Sequence, residues 1–276
     1  MVKISIQGAR GSFHDIVARL KFPGDSEIIE SSTSQQVFED VKKGRVDYGV
    51  VAIENSLFGS FLENYDLILK YDVKIAGEVY LRIVLDLMAL SGAKIEDISE
   101  VYTHPMAMTE SHTFLEKHPG MKRIESYDTA GSAAMIKEKG LHDAAAIASG
   151  LAAEIYGMDV LAHDIETEKK NYTRFLIIAK ELQHSEKADK TSLVIRAKNL
   201  PGSLYQCLKC FADEKINLGK LESRPIIGQT WDYHFYIDFE ENMDAPPAQR
   251  ALANLKKVTT EVKILGSYQR DRSLVR

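Results

Sequence analysis

Between Val2 and Ala179, short apolar runs alternate with segments whose apolar residues recur every three to four positions. Short apolar or alternating runs predict strands at Val2–Gln7, Glu27–Glu30, Tyr48–Ile53, Glu100–Thr103, Arg123–Tyr127, Ala144–Ala148 and Phe175–Ala179. The 3.6-residue period predicts helices at Ser34–Lys43, Leu62–Lys70, Met106–Lys117, Thr129–Lys139 and Leu151–Tyr156. Strand and helix in turn imply a mainly parallel sheet with helices on both faces. One segment breaks the rhythm. Val73–Leu90 alternates for longer than a single strand needs, and is expected to carry the chain from one lobe to another, with a return near Thr173. Two lobes joined by such crossings leave a cleft.

The stretch 180–190 is polar and charged and reads as a linker. Beyond it the pattern becomes strand Ser192–Ala197, helix Ser203–Glu214, strands Ile216–Ile227 and Trp231–Phe239, helix Pro247–Lys257 and strand Glu261–Tyr268. This is the β-α-β-β-α-β order of a ferredoxin-like unit. The expected division is 1–180, with lobes at about 1–75 plus 165–180 and at 76–164, then a linker at 181–190 and a small domain at 191–276.

The chain has 276 residues, 45% of them hydrophobic, enough for two cores. A formal charge of −5 with no lysine/arginine block argues against a nucleic-acid partner. No apolar run approaches the roughly 20 residues that span a bilayer, so no membrane partner is expected. The first residues form a strand pattern rather than a signal peptide, and the two cysteines, Cys207 and Cys210, exclude a disulfide framework. A cytoplasmic location is the expectation. Cys207-Leu208-Lys209-Cys210 has metal-like spacing but lies in a helical pattern without a second ligand pair, so neither a metal nor another cofactor is expected.

Candidate chemistry gathers at strand ends. Asn171-Tyr172-Thr173-Arg174-Phe175 runs straight into Leu176-Ile177-Ile178-Ala179. This sets a hydroxyl and a guanidinium at the mouth of a buried strand, where α/β proteins hold small ligands. Gly8-Ala9-Arg10-Gly11-Ser12 joins the first strand to a helical segment, and Ser12 is placed to cap it. Ile53-Glu54-Asn55-Ser56, Thr103-His104-Pro105 and Tyr127-Asp128-Thr129 occupy equivalent positions. Each is, on local grounds, equally an ordinary capped turn. Together they describe a crevice of hydroxyls and amides with one arginine, suited to a small carboxylate-bearing molecule.

At these motifs the chain resembles the prephenate dehydratase family. The resemblance runs over almost the whole length. It is carried by Gly8-Ala9-Arg10-Gly11-Ser12-Phe13, Ile53-Glu54-Asn55-Ser56, Thr103-His104-Pro105, the alanine run 144–148 with 152–157, and above all Asn171-Tyr172-Thr173-Arg174-Phe175. It implies an α/β fold with a two-lobed catalytic domain similar to type II periplasmic binding proteins. It also implies decarboxylative dehydration of prephenate to phenylpyruvate in L-phenylalanine biosynthesis, with Thr173 essential for turnover. Arg174, Phe175, Asn55, Ser56 and Ser12 would contact the substrate.

The C-terminal unit looks like an ACT domain. Asn199, Leu200, Pro201, Gly202, Ser203 and Leu204, with Glu222, Ser223 and Arg224, match the family's phenylalanine-binding segments. L-phenylalanine as allosteric inhibitor, and a homodimer or homotetramer formed through ACT domains, follow from that likeness. The chorismate mutase carried by some relatives is not expected. Arogenate dehydration, or non-catalytic sensing of an amino acid or small anion, are the competing readings.

Overall fold

The computed structural model describes residues 1–226 and 228–272, and the chain divides into two compact units: Met1–Leu67 with Tyr80–Phe175, and Ile68–Val79 with Leu176–Arg276. The predicted end of one strand at Ile227 lies outside the described residues, as do the last residues of the expected 191–276 domain.

The first sheet opens with β1 (Val2–Gln7), whose alternation buries Ile4 and Ile6. It pairs in parallel with β2 (Ser26–Ser31) and β3 (Tyr48–Asn55). Helices α1 (Phe13–Lys21) and α2 (Ser34–Lys42) connect them, capped by Ser12 and Thr33, whose side chains accept from Asp15 N and Gln36 N. Their buried stripes are Val17-Ala18 and Val37-Phe38-Val41. After β4 (Gly59–Ser60) and α3 (Leu62–Tyr71) come β5 (Lys74–Arg82) and β6 (Asp86–Ala89). The long alternating segment Val73–Leu90 is therefore two strands. β5 belongs to the first sheet, of order β2-β1-β3-β11-β5, and β6 to the second, so the chain does change lobes here. The two sheets are those of the two expected lobes.

The second sheet, of order β10-β6-β9-β7-β8, is built from β7 (Glu100–Thr103), β8 (Lys122–Glu125), β9 (Ala144–Ala148) and β10 (Asp159–Ala162) around β6. β9 is buried at all five positions, and its alanines admit α6 (Thr129–Lys139) at close range through Ala130, Ala133 and Ile136. The helix expected over Met106–Lys117 breaks at Ser111 into α4 (Pro105–Glu110) and α5 (His112–Glu116). After α7 (Gly150–Tyr156) and β10, the chain returns to the first sheet as β11 (Tyr172–Ala179).

Two glycines fix the β1–α1 turn. Gly8 and Gly11 have φ of +90° and +84°, and a Cβ on Gly11 would stand 2.7 Å from the Ala152 backbone. The turn is tied down by Ala9 N donating to Asp128 Oδ2 (2.9 Å), Ser149 Oγ donating to Gly11 O (2.5 Å) and Tyr156 Oη donating to Arg10 O (3.0 Å).

The second unit holds an antiparallel sheet of order β13-β14-β12-β15, made of β12 (Lys190–Ala197), β13 (Leu218–Pro225), β14 (Tyr233–Phe239) and β15 (Thr259–Tyr268). Helices α8 (Ser203–Ala212) and α9 (Pro246–Val258) complete the expected β-α-β-β-α-β order. Leu193, Ile195, Ile237 and Phe239 face Phe211, Leu252 and Leu255 in its core. Cys207 and Cys210 are buried free thiols on α8. Among the described residues no helix is long and apolar enough to cross a membrane.

Candidate active site

A cavity of about 510 Å³ opens in the first unit, within the range that holds a small metabolite. Its wall takes Gly8, Ser12 and His14 from the β1–α1 turn and Ser34 from α2. His104, Met106 and Glu110 come from α4, Asp128 and Thr129 from the start of α6, and Thr173 and Phe175 from β11. Polar strand ends from both sheets thus meet, as the sequence pattern implied.

The floor is a chain of side-chain amides. Asn55, buried at the end of β3, accepts Leu57 N (2.8 Å) and Phe58 N (3.0 Å) on Oδ1. That fixes the amide, so its Nδ2 donates to Asn171 Oδ1 (2.8 Å) and Thr173 Oγ1 (3.0 Å). Asn171 in turn donates its own Nδ2–H to Glu110 Oε1 (2.6 Å). Thr173 therefore receives a hydrogen from Asn55, which offers it only N–H. The single hydroxyl hydrogen of Thr173 has to point elsewhere, and the cavity is where Thr173 is open.

The titrating groups around the cavity are tuned by burial. His14 is half-buried; desolvation pushes its pKa down to about 4, so the imidazole is neutral at pH 7. It meets Phe175 edge-on with centroids 5.0 Å apart, and its Nε2 has no hydrogen-bond partner among the described residues. His104 caps α4, its Nδ1 accepting Met106 N (3.2 Å). Burial lowers its pKa, against opposing pulls from Asp128 and Glu125. The carboxyl of Asp128 is pushed up by burial and drawn back by the N–H groups of Ala9 and Gly131. Burial carries Glu110 up to about 7. Three carboxyl groups, on Glu63, Glu110 and Asp128, lie in the wall, and no lysine or arginine does among the described residues. A carboxylate ligand would be met instead by the first N–H groups of α1 and α2, at Phe13, His14 and Ser34, which have no helical carbonyl to pair with.

The family model for prephenate dehydratase matches residues 4–183. The chain belongs to the prephenate dehydratase family. The activity that goes with membership is a carbon–oxygen lyase reaction, the dehydration of prephenate. A curated relative, arogenate dehydratase/prephenate dehydratase 2 of Arabidopsis thaliana, is 39% identical over 285 residues, 99% of this chain and 74% of its own length. The solved structure of prephenate dehydratase from Arthrobacter aurescens in complex with L-Phe is 30% identical, with a TM-score of 0.87, covering 98% of this chain and 90% of that one. The structure of GqqA, described as a novel type of quorum quenching acylase, is 31% identical with a TM-score of 0.90, covering 99% of this chain and 100% of that one.

Within this family frame, the residues anticipated from sequence separate into three groups. Ser12, Thr173 and Phe175 line the cavity. Asn55 stands behind it and acts on Thr173. Ser56 and Arg174 lie outside the wall. Ser56 Oγ accepts Tyr172 N (3.0 Å) and donates to Lys170 O (3.3 Å), which joins the end of β3 to the start of β11. Arg174 is buried with its guanidinium 5.9 Å from the centre of the Tyr80 ring. The period of a strand explains the difference: Thr173 and Phe175 share one face of β11, and Arg174 takes the other. The arginine expected to meet a carboxylate is therefore not a cavity residue.

Two cavity groups, His14 and Glu110, were not anticipated. Each had a signal in the chain, since His14 lies two residues beyond the Ser12 cap and Glu110 closes the short helix begun by Pro105. In the second unit the phenylalanine-matching segments lie on separate elements. Asn199 to Leu204 cover the turn into α8, where Gly202 has φ of +81°; Asn199 donates to Trp231 O (3.2 Å). Glu222, Ser223 and Arg224 lie on the edge strand β13, which β14 separates from β12.

Proposed function

We propose that this cavity is where prephenate loses its ring carboxylate and its hydroxyl. The bond to the carboxylate breaks and releases CO₂, and its electron pair enters the ring. The C–O bond breaks at the opposite ring carbon, and the departing oxygen takes up one proton to leave as water. Prephenate dianion plus one proton thus gives phenylpyruvate, CO₂ and water, and aromatisation drives the exchange. The protein has to fix geometry and stabilise the leaving oxygen. Thr173 is the group for the second task. The observation that carries this reading is the Asn55–Thr173 hydrogen bond, which occupies the acceptor side of the hydroxyl and leaves its hydrogen for the substrate. Ser12, Phe175 and the neutral His14 would orient the ring and the side-chain keto acid. The test is direct: added prephenate should yield phenylpyruvate, followed by its ultraviolet absorbance, and absence of product at any protein concentration would remove the reading.

A second substrate is favoured by one feature. The wall carries three carboxyl groups and no lysine or arginine among the described residues. That environment suits the ammonium of L-arogenate, the aminated form of the same molecule. Side-by-side kcat/KM values for prephenate and L-arogenate decide the preference.

The domain boundaries proposed are a dehydratase domain over 1–180, a linker over 181–190 and an ACT domain from 191 onward. L-phenylalanine is proposed as the allosteric inhibitor, bound by residues 199–204 of one protomer and 222–224 of a second copy, in a homodimer or homotetramer. The separation of these segments within one chain supports a shared site, as does the exposure of Leu200, Tyr205, Leu221 and Trp231. Calorimetry with L-phenylalanine and sedimentation with and without it test both points.

A further inference from the structure

Glu110 is a buried carboxyl in the wall of the cavity, at the opposite end of the amide chain from Thr173. Its two oxygens have different surroundings. Oε1 accepts Asn171 Nδ2–H at 2.6 Å, whereas Oε2 takes no hydrogen bond among the described residues. We propose that Glu110 works as a neutral hydrogen-bond donor to the substrate, presenting Oε2–H to the cavity while Oε1 accepts from Asn171. The inference rests on the dehydratase reading of this cavity and names a further group in direct contact with its ligand.

The electrostatic surroundings favour the neutral form. The charged group acting on it is Glu166, whose carboxylate raises the affinity of Glu110 for a proton. The cations near that pair are engaged by Glu166 itself: Arg82 Nη2 at 3.0 Å and Lys169 Nζ at 3.3 Å. Leu85 N donates to its other oxygen (3.0 Å). Asp128 and Glu63 lie in the same wall, and the imidazoles of His14 and His104 there are shifted toward neutrality. His112, on the helix that follows Glu110, bonds Thr109 O and Thr167 Oγ1. No lysine or arginine lines the cavity among the described residues, so an ionised Glu110 would face a dianionic substrate with no counter-charge in the wall.

Desolvation is the largest cause of the shift, followed by the Asn171 hydrogen bond acting the other way, and the net effect places the proton's departure at about 7. The acid form is therefore present below that pH and is lost as pH rises through it. Turnover should follow the same course. Above pH 7, kcat/KM for prephenate should fall about tenfold per pH unit until another group takes over.

The experiment compares kcat/KM for prephenate from pH 6 to 9 in the wild type, Glu110→Gln and Glu110→Ala. The amide of glutamine can accept from Asn171 and donate to the ligand, and it does not titrate. Glu110→Gln is expected to abolish the fall above pH 7, with a rate within about fivefold of the wild-type acid limb. Glu110→Ala, which removes both the acceptor for Asn171 and the donor, is expected to lie at least about thirtyfold lower throughout. The inference is overturned if Glu110→Gln keeps the wild-type fall, because the titrating group is then another one. It is equally overturned if Glu110→Gln is as slow as Glu110→Ala at pH 6 with its thermal unfolding unchanged, because a donated hydrogen bond is then not enough. A wild type that turns over no prephenate defeats the dehydratase reading and this inference with it, whereas an active wild type whose profile Glu110→Gln leaves alone defeats this inference only.

Discussion

The two units of the chain put their buried polar groups to different uses. In the first, Asn55 donates to Thr173 and to Asn171, which donates to Glu110, so that buried polar side chains form a chain with both ends in an internal cavity. In the second, the buried polar groups close on one another. Ser192 Oγ lies 2.5 Å from Asp238 Oδ1 and 2.7 Å from Tyr268 Oη, Thr191 meets Ser267 at 2.9 Å, and Lys190 pairs with Glu78 at 2.8 Å. Its surface carries Leu200, Tyr205, Leu221 and Trp231, 44–73% exposed. A satisfied network that opens on a cavity is suited to chemistry within one chain. An apolar surface on a closed unit is suited to meeting something else.

The sharpest way to break this comparison is to remove the Thr173 end of that chain. Thr173→Ala deletes the hydroxyl and leaves Asn55 without an acceptor on one hydrogen. Turnover should fall roughly 10²–10³-fold, the scale for losing one aimed donor to a developing oxyanion, with KM changed by less than about threefold. Steady-state kinetics on prephenate read both numbers, and an unchanged kcat removes Thr173 from the chemistry.

His14 offers a second test, because it separates function from stability. Its folded pKa of about 4 lies below the usual 6.5, so between these values the unfolded chain binds a proton that the folded chain does not. Stability from this group is complete above about pH 6.5 and declines as pH falls toward 4, by up to about 3 kcal/mol. His14→Phe retains an edge-on ring for Phe175 and removes the unpartnered Nε2. Denaturant unfolding at pH 5 should show a gain of about 1–2 kcal/mol over the wild type. Turnover at pH 7 should drop about tenfold. A variant that is more stable and equally active would make His14 a packing residue only.

How much of this was legible beforehand depends on range. Ser12, Pro105 and Asp128 announce their helices locally, because a cap is a relation between neighbours, and the ferredoxin-like order of the second unit follows from period alone. The break of Val73–Leu90 into β5 and β6 was not visible, since both halves alternate and only pairing partners distinguish the sheets. The same limit hid the site. Thr173 and Arg174 looked equivalent as neighbours, and strand alternation parts them only once β11 has a cavity on one face. Glu110 became a candidate only through Asn171, 61 residues away along the chain.

The surface of the second unit should respond without disturbing the first. Leu221→Lys replaces the exposed leucine of the edge strand β13 with a charge. Sedimentation should show a smaller assembly and L-phenylalanine should inhibit less, with turnover in its absence changed by less than about twofold. A parallel loss of basal turnover would show that the two units do not divide the work in this way.

The smallest effect is expected at Arg174, and it probes the assignment of faces on β11. The guanidinium is buried beside Tyr80, on the side of the strand away from Thr173 and Phe175. Arg174→Lys keeps the charge but loses the planar group that lies on an aromatic ring, so a modest loss of stability is expected, on the order of 1 kcal/mol. KM for prephenate should stay within about twofold of wild type, because no atom of the cavity wall changes. If KM instead rose tenfold while the unfolding midpoint held, Arg174 would have to reach the substrate carboxylate. The cavity would then carry a cation, and the argument that helix N-termini and neutral donors meet the anion would lose its ground.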